Sequence, residues 1–257
     1  MINFDYLKNL NSSQKKAVIH TEGPLLVVAG AGSGKTRVLT SKIVYLIKEK
    51  KILPSQILSV TFTNKAASEM QNRVMKMLKI KNNGLPWLGT FHSICAKLLR
   101  KHAKAVGLNS NFTIIDTDDQ VRLIKNICKS ENVDIKKISP KIILSIIDKW
   151  KNNGQYPEKV TISKKDIYEK IILPIYKIYQ KKLLDLNVCD FGDLILHCVE
   201  MLEKEKGINE IYTNNFKYIL VDEYQDTNFI QNKWLNLLVN SNQNICCVGD
   251  DDQSIYS

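Results

Sequence analysis

Between Ala29 and Thr36 the chain reads AGAGSGKT, with Gly30, Gly32 and Gly34 alternating with Ala29, Ala31 and Ser33 ahead of Lys35 and Thr36. Glycine tolerates the dihedrals that turn successive backbone N–H groups toward one point, which makes a cradle for phosphate oxygens. Lys35 would neutralise β- and γ-phosphates, and the Thr36 hydroxyl would ligate Mg²⁺. The general pattern G-x-x-x-x-G-K-[ST] has glycine where this chain has Ala29. The bland alternative is a glycine-rich turn joining a strand to a helix. Hydrolysis also needs a carboxylate for the metal and a group that orients water. ILVDEYQD offers Asp222 for the first task and Glu223 for the second. Many strands end in Asp-Glu, so this pair gains weight only beside the GKT loop. Gln253, in CVGDDDQSIY, is placed to bond a γ-phosphate oxygen and report its loss. A loop glutamine is otherwise simply solvated.

These residues need strands that end at one place. PLLVVA (Pro24 to Ala29) reads as a buried strand, followed by a helix over Lys35 to Lys48. ILSVTF (Ile57 to Phe62) reads as a second strand before a helix near Asn64 to Lys79, and WLGTF (Trp87 to Phe91) as a shorter one before SICAKLLRKHAK. YILVDE (Tyr218 to Glu223) and NICCVGD (Asn244 to Asp250) repeat the pattern around a helix at Thr227 to Val239. Apolar strands separated by helices predict an α/β fold with a parallel sheet covered on both faces. Ligands of such sheets sit beyond the carboxyl ends of the strands, where all these motifs fall. From about Leu108 to Asn187 helical periodicity takes over, at Asp118 to Lys129, Pro140 to Lys149 and Asp166 to Leu186. KNNGQYPEK breaks it once, and Pro174 is placed to kink the last helix. This stretch is expected to form a lysine-rich helical subdomain inserted into the α/β domain.

The 257 residues suffice for one large domain or a domain with an insertion. A net charge of +11 points to a polyanionic partner, nucleic acid ahead of an acidic membrane, although a chain so rich in Lys, Asn and Ile acquires charge through composition alone. The six cysteines form no CxxC pair and no Cys/His spacing suited to zinc. Cys246 and Cys247 are adjacent on an expected strand and point to opposite faces, which argues against a shared disulfide or metal. A reduced, intracellular protein is expected. The start, MINFDYLKNLNSSQ, lacks a signal-peptide pattern, and no window has the length of a membrane span, so the expected location is the cytoplasm with no membrane partner.

Seven segments taken in order resemble the N-terminal motifs of superfamily 1A DNA helicases, the UvrD/Rep/PcrA group. They are LNSSQKKAV (Leu10 to Val18), AGAGSGKT, SVTFTNKAASEM (Ser59 to Met70), GTFHSICAKLLR (Gly89 to Arg100), DFGDLI (Asp190 to Ile195), VDEYQDTN (Val221 to Asn228) and VGDDDQSIY (Val248 to Tyr256). That group commonly writes its loop with alanine first. The resemblance implies a RecA-like P-loop NTPase domain, termed 1A, over 1–107 and 188–257, with a helical subdomain 1B inserted at 108–187. It implies ATP and Mg²⁺ as ligands and Gln14 as the reader of adenine, a task suited to a carboxamide that both donates and accepts. Lys35, Thr36, Asp222 and Glu223 keep their roles, and Gln253 becomes the γ-phosphate sensor. Arg37 either contacts the nucleotide or is a solvated helix residue.

The resemblance further implies a single-stranded DNA path lined by Phe62, Thr63 and Asn64 and by Thr90, Phe91 and His92, with Tyr256 a further stacking residue. Aromatic stacking contributes roughly 1–3 kcal/mol per base without demanding a sequence. Taken singly, Phe62 and Phe91 would read as core, and His92 as a helix cap. DFGDLI departs from the usual DFDDL at Gly192, so any role of that acid has no carrier here. The insert lysines are placed either against duplex DNA at a junction with single strand or on a solvated face. The implied activity is ATP-dependent 3′-to-5′ translocation in DNA repair or replication. The sequence stops at Ser257, before a second RecA-like domain with its arginine fingers, so slow hydrolysis without unwinding is expected of the chain alone. A separately encoded C-terminal half is a partner consistent with that expectation. Three alternatives stay open: a catalytically silent ATP- and DNA-binding module, the motor of a helicase–nuclease of the RecB/AddA kind, and, remotely, a small-molecule P-loop kinase.

Overall fold

The structure, a computed structural model, describes residues 5–30, 32–80, 84–161 and 167–250. Helices and strands follow in the order α1 (Ser12–Ile19), β1 (Leu25–Val28), α2 (Lys35–Lys48), β2 (Ile57–Thr61), α3 (Asn64–Leu78), β3 (Leu88–Thr90) and α4 (Phe91–His102). Then come β4 (Thr113–Ile114), α5 (Thr117–Ser130), α6 (Pro140–Asn152), α7 (Ile167–Asp185), β5 (Val188–Cys189) and α8 (Phe191–Lys204). The order closes with α9 (Lys206–Asn215), β6 (Tyr218–Val221), α10 (Phe229–Leu238) and β7 (Ile245–Gly249). The chain divides into two compact units, one of 1–94, 206–227 and 235–257, the other of 95–205 and 228–234. Of the four boundaries, one falls inside α4 and one inside α10; the other two lie between α8 and α9 and just before α10. The stretch 108–187 lies within the second unit.

The first unit holds a parallel sheet in the order β1-β7-β6-β2-β3. β2 and β6 are buried along their whole length, which is why ILSVT and YILV are unbroken apolar runs. On α2 the buried set includes Val38, Leu39, Ile43, Val44 and Leu46. On α3 Ala67, Met70 and Val74 recur at helical spacing, and the Thr63 hydroxyl caps that helix by accepting from the Ala66 N–H at 3.1 Å. Both helices pack on the sheet face made by Leu25, Val27, Leu220, Cys246 and Val248. Trp87 packs edge-on against Tyr212 and Phe216, with ring centroids 5.9 and 5.4 Å away.

One expectation fails at β1. Leu26 is 60% and Val28 51% exposed, so only alternate residues of this strand are covered. The reason is position: β1 is the last strand in the sheet order, and its Leu26/Val28 face is left open among the described residues. An apolar run on an edge reads like a central strand because periodicity does not report neighbours.

The second unit is chiefly helical, with β4 and β5 forming a short parallel pair. α5, α6 and α7 share a core of Ile124, Ile127, Ile143, Ile147, Ile172, Ile175 and Leu183, with Trp150 stacked on Tyr176. α6 runs through Lys151 and Asn152, past the expected break, and α7 continues through Pro174. The extension has a polar cause. Lys151 is fully buried, and its ammonium meets Asp190 at 2.6 Å and Asp193 at 2.7 Å. Tyr179 donates to Asp190 at 2.9 Å, and Gln180 to Asp193 at 2.9 Å. A Cβ added at Gly192 would lie 2.9 Å from Lys151 Cδ. Glycine in DFGDLI thus makes room for the aliphatic stem of the buried lysine. All six cysteines are buried free thiols. No helix among the described residues is long and apolar enough to cross a membrane.

Candidate functional site

Each segment picked out by its chemistry follows the carboxyl end of a strand of the first unit: Ala29 after β1, Phe62 after β2, Phe91 after β3, Asp222 after β6 and Asp250 after β7. The loop after β1 turns on Gly32 and Gly34, whose φ angles of 74° and 89° lie in the left-handed region. At Gly34 a Cβ would also come within 3.1 Å of Gln14 Nε2. α2 begins at the next residue, with its N-terminal N–H groups facing the loop, a setting that favours anions. A cavity of about 290 Å³ opens there, lined by Gly32, Ser33, Gly34, Lys35, Thr36, Arg37, Arg73 and Glu223. Ala31 lies outside the described residues.

Lys35 is buried, and its ammonium donates to Ala29 O at 2.7 Å, Gly30 O at 3.3 Å and Asp250 Oδ2 at 3.1 Å. The Thr36 hydroxyl donates to Asp222 Oδ2 at 3.4 Å, a long contact that brings the two expected metal-binding groups together. Asp222 is 2% exposed. Burial pushes its carboxyl up to about 6, the Glu223 charge adds to the rise, and the Glu223 N–H and Thr36 hydroxyl oppose it. Glu223 adopts a φ of 50°, a left-handed backbone uncommon for a residue with a side chain. Gln225 holds it there: Nε2 donates to Glu223 Oε2 at 2.8 Å, while Oε1 accepts from the Asp250 N–H at 3.0 Å.

Gln14 sits in a capping box at the start of α1. Its Oε1 accepts from the Asn11 N–H at 2.9 Å, and its Nε2 donates to Ser33 O at 2.8 Å. One amide hydrogen and one lone pair remain, enough to meet a base. Arg37 Nη1 donates to Asn9 O at 3.4 Å. Gln253 and Tyr256 lie outside the described residues.

A sequence profile described as the UvrD/REP helicase N-terminal domain matches residues 10–257. The chain belongs to this helicase family. It is 48% identical over its full length to a probable DNA helicase II homolog of Rickettsia conorii, and 49% to a DNA helicase II of Rickettsia typhi. Against an ATP-dependent DNA helicase PcrA of Staphylococcus epidermidis it is 46% identical over 97% of its length. The chain spans 39% of the two Rickettsia proteins and 34% of the Staphylococcus one.

In this UvrD/REP chain the segments expected to face DNA divide by exposure. Thr63 and Asn64 are exposed at the start of α3, and Phe62 is half-buried beside them. Phe91 is 1% exposed, with its ring centroid 5.4 Å from that of Phe62, so it serves as the floor beneath Phe62 and offers no face to a base. Thr90 is also buried, its hydroxyl accepting from the Ser93 N–H at 3.2 Å at the head of α4. The strand end and helix start that bury these two residues are what direct His92 outward to a half-buried position. Burial lowers the pKa of the His92 imidazole, which favours its neutral form.

Three residues of the site carry no expectation from the sequence: Arg73, which lines the cavity from α3, Gln225 and Asp250. Asp250 was legible in principle, since GDDDQ places the first of three acids at a strand end. Gln225, two residues beyond Glu223, carries no signal of its own; its role exists only because β6 and β7 are neighbours.

Proposed function

We propose that this chain is the ATP-binding motor portion of a DNA helicase that moves 3′-to-5′ along single-stranded DNA. The observation that carries the reading is the convergence of Lys35, Thr36, Asp222, Glu223 and Asp250 on the mouth of one glycine-turned loop. The loop N–H groups and the α2 N-terminus hold the nucleotide's phosphates, Lys35 neutralises charge on the β- and γ-oxygens, and Gln14 with Arg37 orients the adenine. Mg²⁺ fits this donor set. A buried carboxyl pushed up to about 6 is one that a cation would return to its charged form, and the Thr36 hydroxyl is beside it. Bound there, the ion would neutralise charge developing between the β- and γ-phosphates. Glu223 accepts a proton from, or orients, the attacking water, with Gln225 fixing its side chain.

Thr63, Asn64 and the exposed part of Phe62 contact the DNA strand, with His92 alongside. Gln253 reads the γ-phosphate and Tyr256 stacks on a base. The 1A assignment goes to 1–107 and 188–257 and the 1B assignment to 108–187. Strand separation requires domains that close and open with nucleotide, so it belongs to the whole helicase; nucleotide binding belongs to this portion.

The test separates binding from hydrolysis. In Glu223→Gln the affinity for ATP·Mg²⁺ stays within a few-fold while turnover falls by at least about 100-fold, the scale of a lost base. Equal loss of both, or of neither, would remove Glu223 from this role.

A further inference from the structure

Beyond the loop, a larger cleft of about 660 Å³ lies along the side of α2 and α3. Its cationic lining is Arg37, Lys48, Arg73, Lys76 and Lys79, and among the described residues no carboxylate lines it. Two other cavities, both in the second unit, are lined by lysines and glutamates together, so a one-sign lining is not the habit of this lysine-rich chain. The arrangement follows from the fold. α2 presents Arg37 and Lys48 on the side facing α3, and α3 presents Arg73 and Lys76 at helical spacing with Lys79 just past its end. Lys48 is fastened in place, donating to Met77 O at 3.2 Å with its ammonium 5.7 Å from the Tyr6 ring centroid. Arg37 reaches Asn9 O, and Arg73 pairs with Glu69. Neither Lys76 nor Lys79 has an ion-pair partner among the described residues.

Arg73 is balanced by Glu69; Arg37, Lys48, Lys76 and Lys79 raise the local potential around one concavity and repel one another, a cost that a bound anion reverses. A volume of about 660 Å³ leaves room for more than one phosphate, and the lining is too charged for an apolar ligand. It shares Arg37 and Arg73 with the nucleotide cavity but extends away from it, toward the C-terminal ends of α2 and α3. The residues proposed to contact DNA lie instead at the N-terminal ends of α3 and α4.

We propose that this cleft is a second anion site that takes a chain of phosphates, either a free oligophosphate or the phosphodiester backbone of a nucleic acid. It stands on the cleft alone and does not require ATP at the loop. The experiment is isothermal titration of the 257-residue chain with sodium tripolyphosphate, with and without saturating ADP. Lys76→Glu/Lys79→Glu is the test variant, because neither lysine is buried and neither touches the loop. Lys206→Glu/Lys217→Glu, exposed residues elsewhere on the first unit, carries the same change in net charge. Tripolyphosphate binding that persists under ADP should weaken about tenfold or more in the test variant and less than about threefold in the control. Loss on addition of a twelve-residue oligothymidylate would identify the nucleic-acid backbone as the source, and no competition a free oligophosphate. No binding under ADP, or equal weakening in both variants, would overturn the proposal. Failure of ADP itself to bind would count against the loop and leave the cleft result standing.

Discussion

At the residue scale the site is built from groups that are uncomfortable by themselves. The Asp222 carboxyl titrates near 6, against 3.8 for an unburdened aspartate, because burial and Glu223 disfavour its charge. The sign follows: the group imposes no penalty below its unfolded value, and the penalty grows as pH rises and is complete above about 6. Asp222→Asn is therefore expected to raise stability at pH 7.5 by roughly 1–3 kcal/mol in urea denaturation, while abolishing metal-dependent ATP turnover. In the unaltered chain protons and Mg²⁺ compete for this carboxyl, so the Mg²⁺ concentration needed for half-maximal turnover should rise as pH drops through about 6, while turnover at saturating Mg²⁺ changes little there. Asp250 is the opposite case. It is the buried counter-charge of Lys35, and Asp250→Ala should cost about 3 kcal/mol by leaving an ammonium without its anion. Unchanged denaturation midpoints in both variants would contradict this electrostatic description.

At the element scale, most of what positions the site was legible in the sequence. GKT between an apolar run and a helical pattern locates β1, the loop and α2, because strand and helix periods differ and glycine marks the change between them. The three ends that meet Lys35 and Thr36 were legible for the same reason, as acids or glycines that terminate apolar runs. What was not legible depends on neighbours. Nothing in PLLVVA tells an edge strand from a central one, and Phe91 becomes floor instead of platform only because Phe62 lies over it. Gly192 is the clearest instance. Its reason for being glycine lies 41 residues away, at Lys151, whose Cδ would meet an added Cβ at 2.9 Å. Gly192→Asp, which restores the usual family letter, is expected to destabilise this chain by about 1–3 kcal/mol through crowding of that stem. Lys151→Met should cost about 3–5 kcal/mol, since it leaves Asp190 and Asp193 buried without their cation. Thermal melting checks both, and a Gly192→Asp chain as stable as the parent would sink the packing explanation.

At the scale of the whole molecule, a net charge of +11 acquires a location. Part of it is spent internally, as in Lys35 and Lys151, whose charges are buried and matched. Another part lines a cleft on one flank of the first unit. Composition could suggest a polyanionic partner without saying where on the surface it would sit; that needs α2 and α3 side by side. The central claim is that the loop after β1 is where ATP is held and turned over, in a unit that also meets single-stranded DNA. The most direct measurement is ATP turnover by the purified chain and its Lys35→Ala variant, with and without single-stranded DNA, alongside DNA binding by both. Turnover that is slow and lost in Lys35→Ala, with DNA binding retained by the variant, is the predicted result. Turnover that survives the loss of Lys35 would contradict the account.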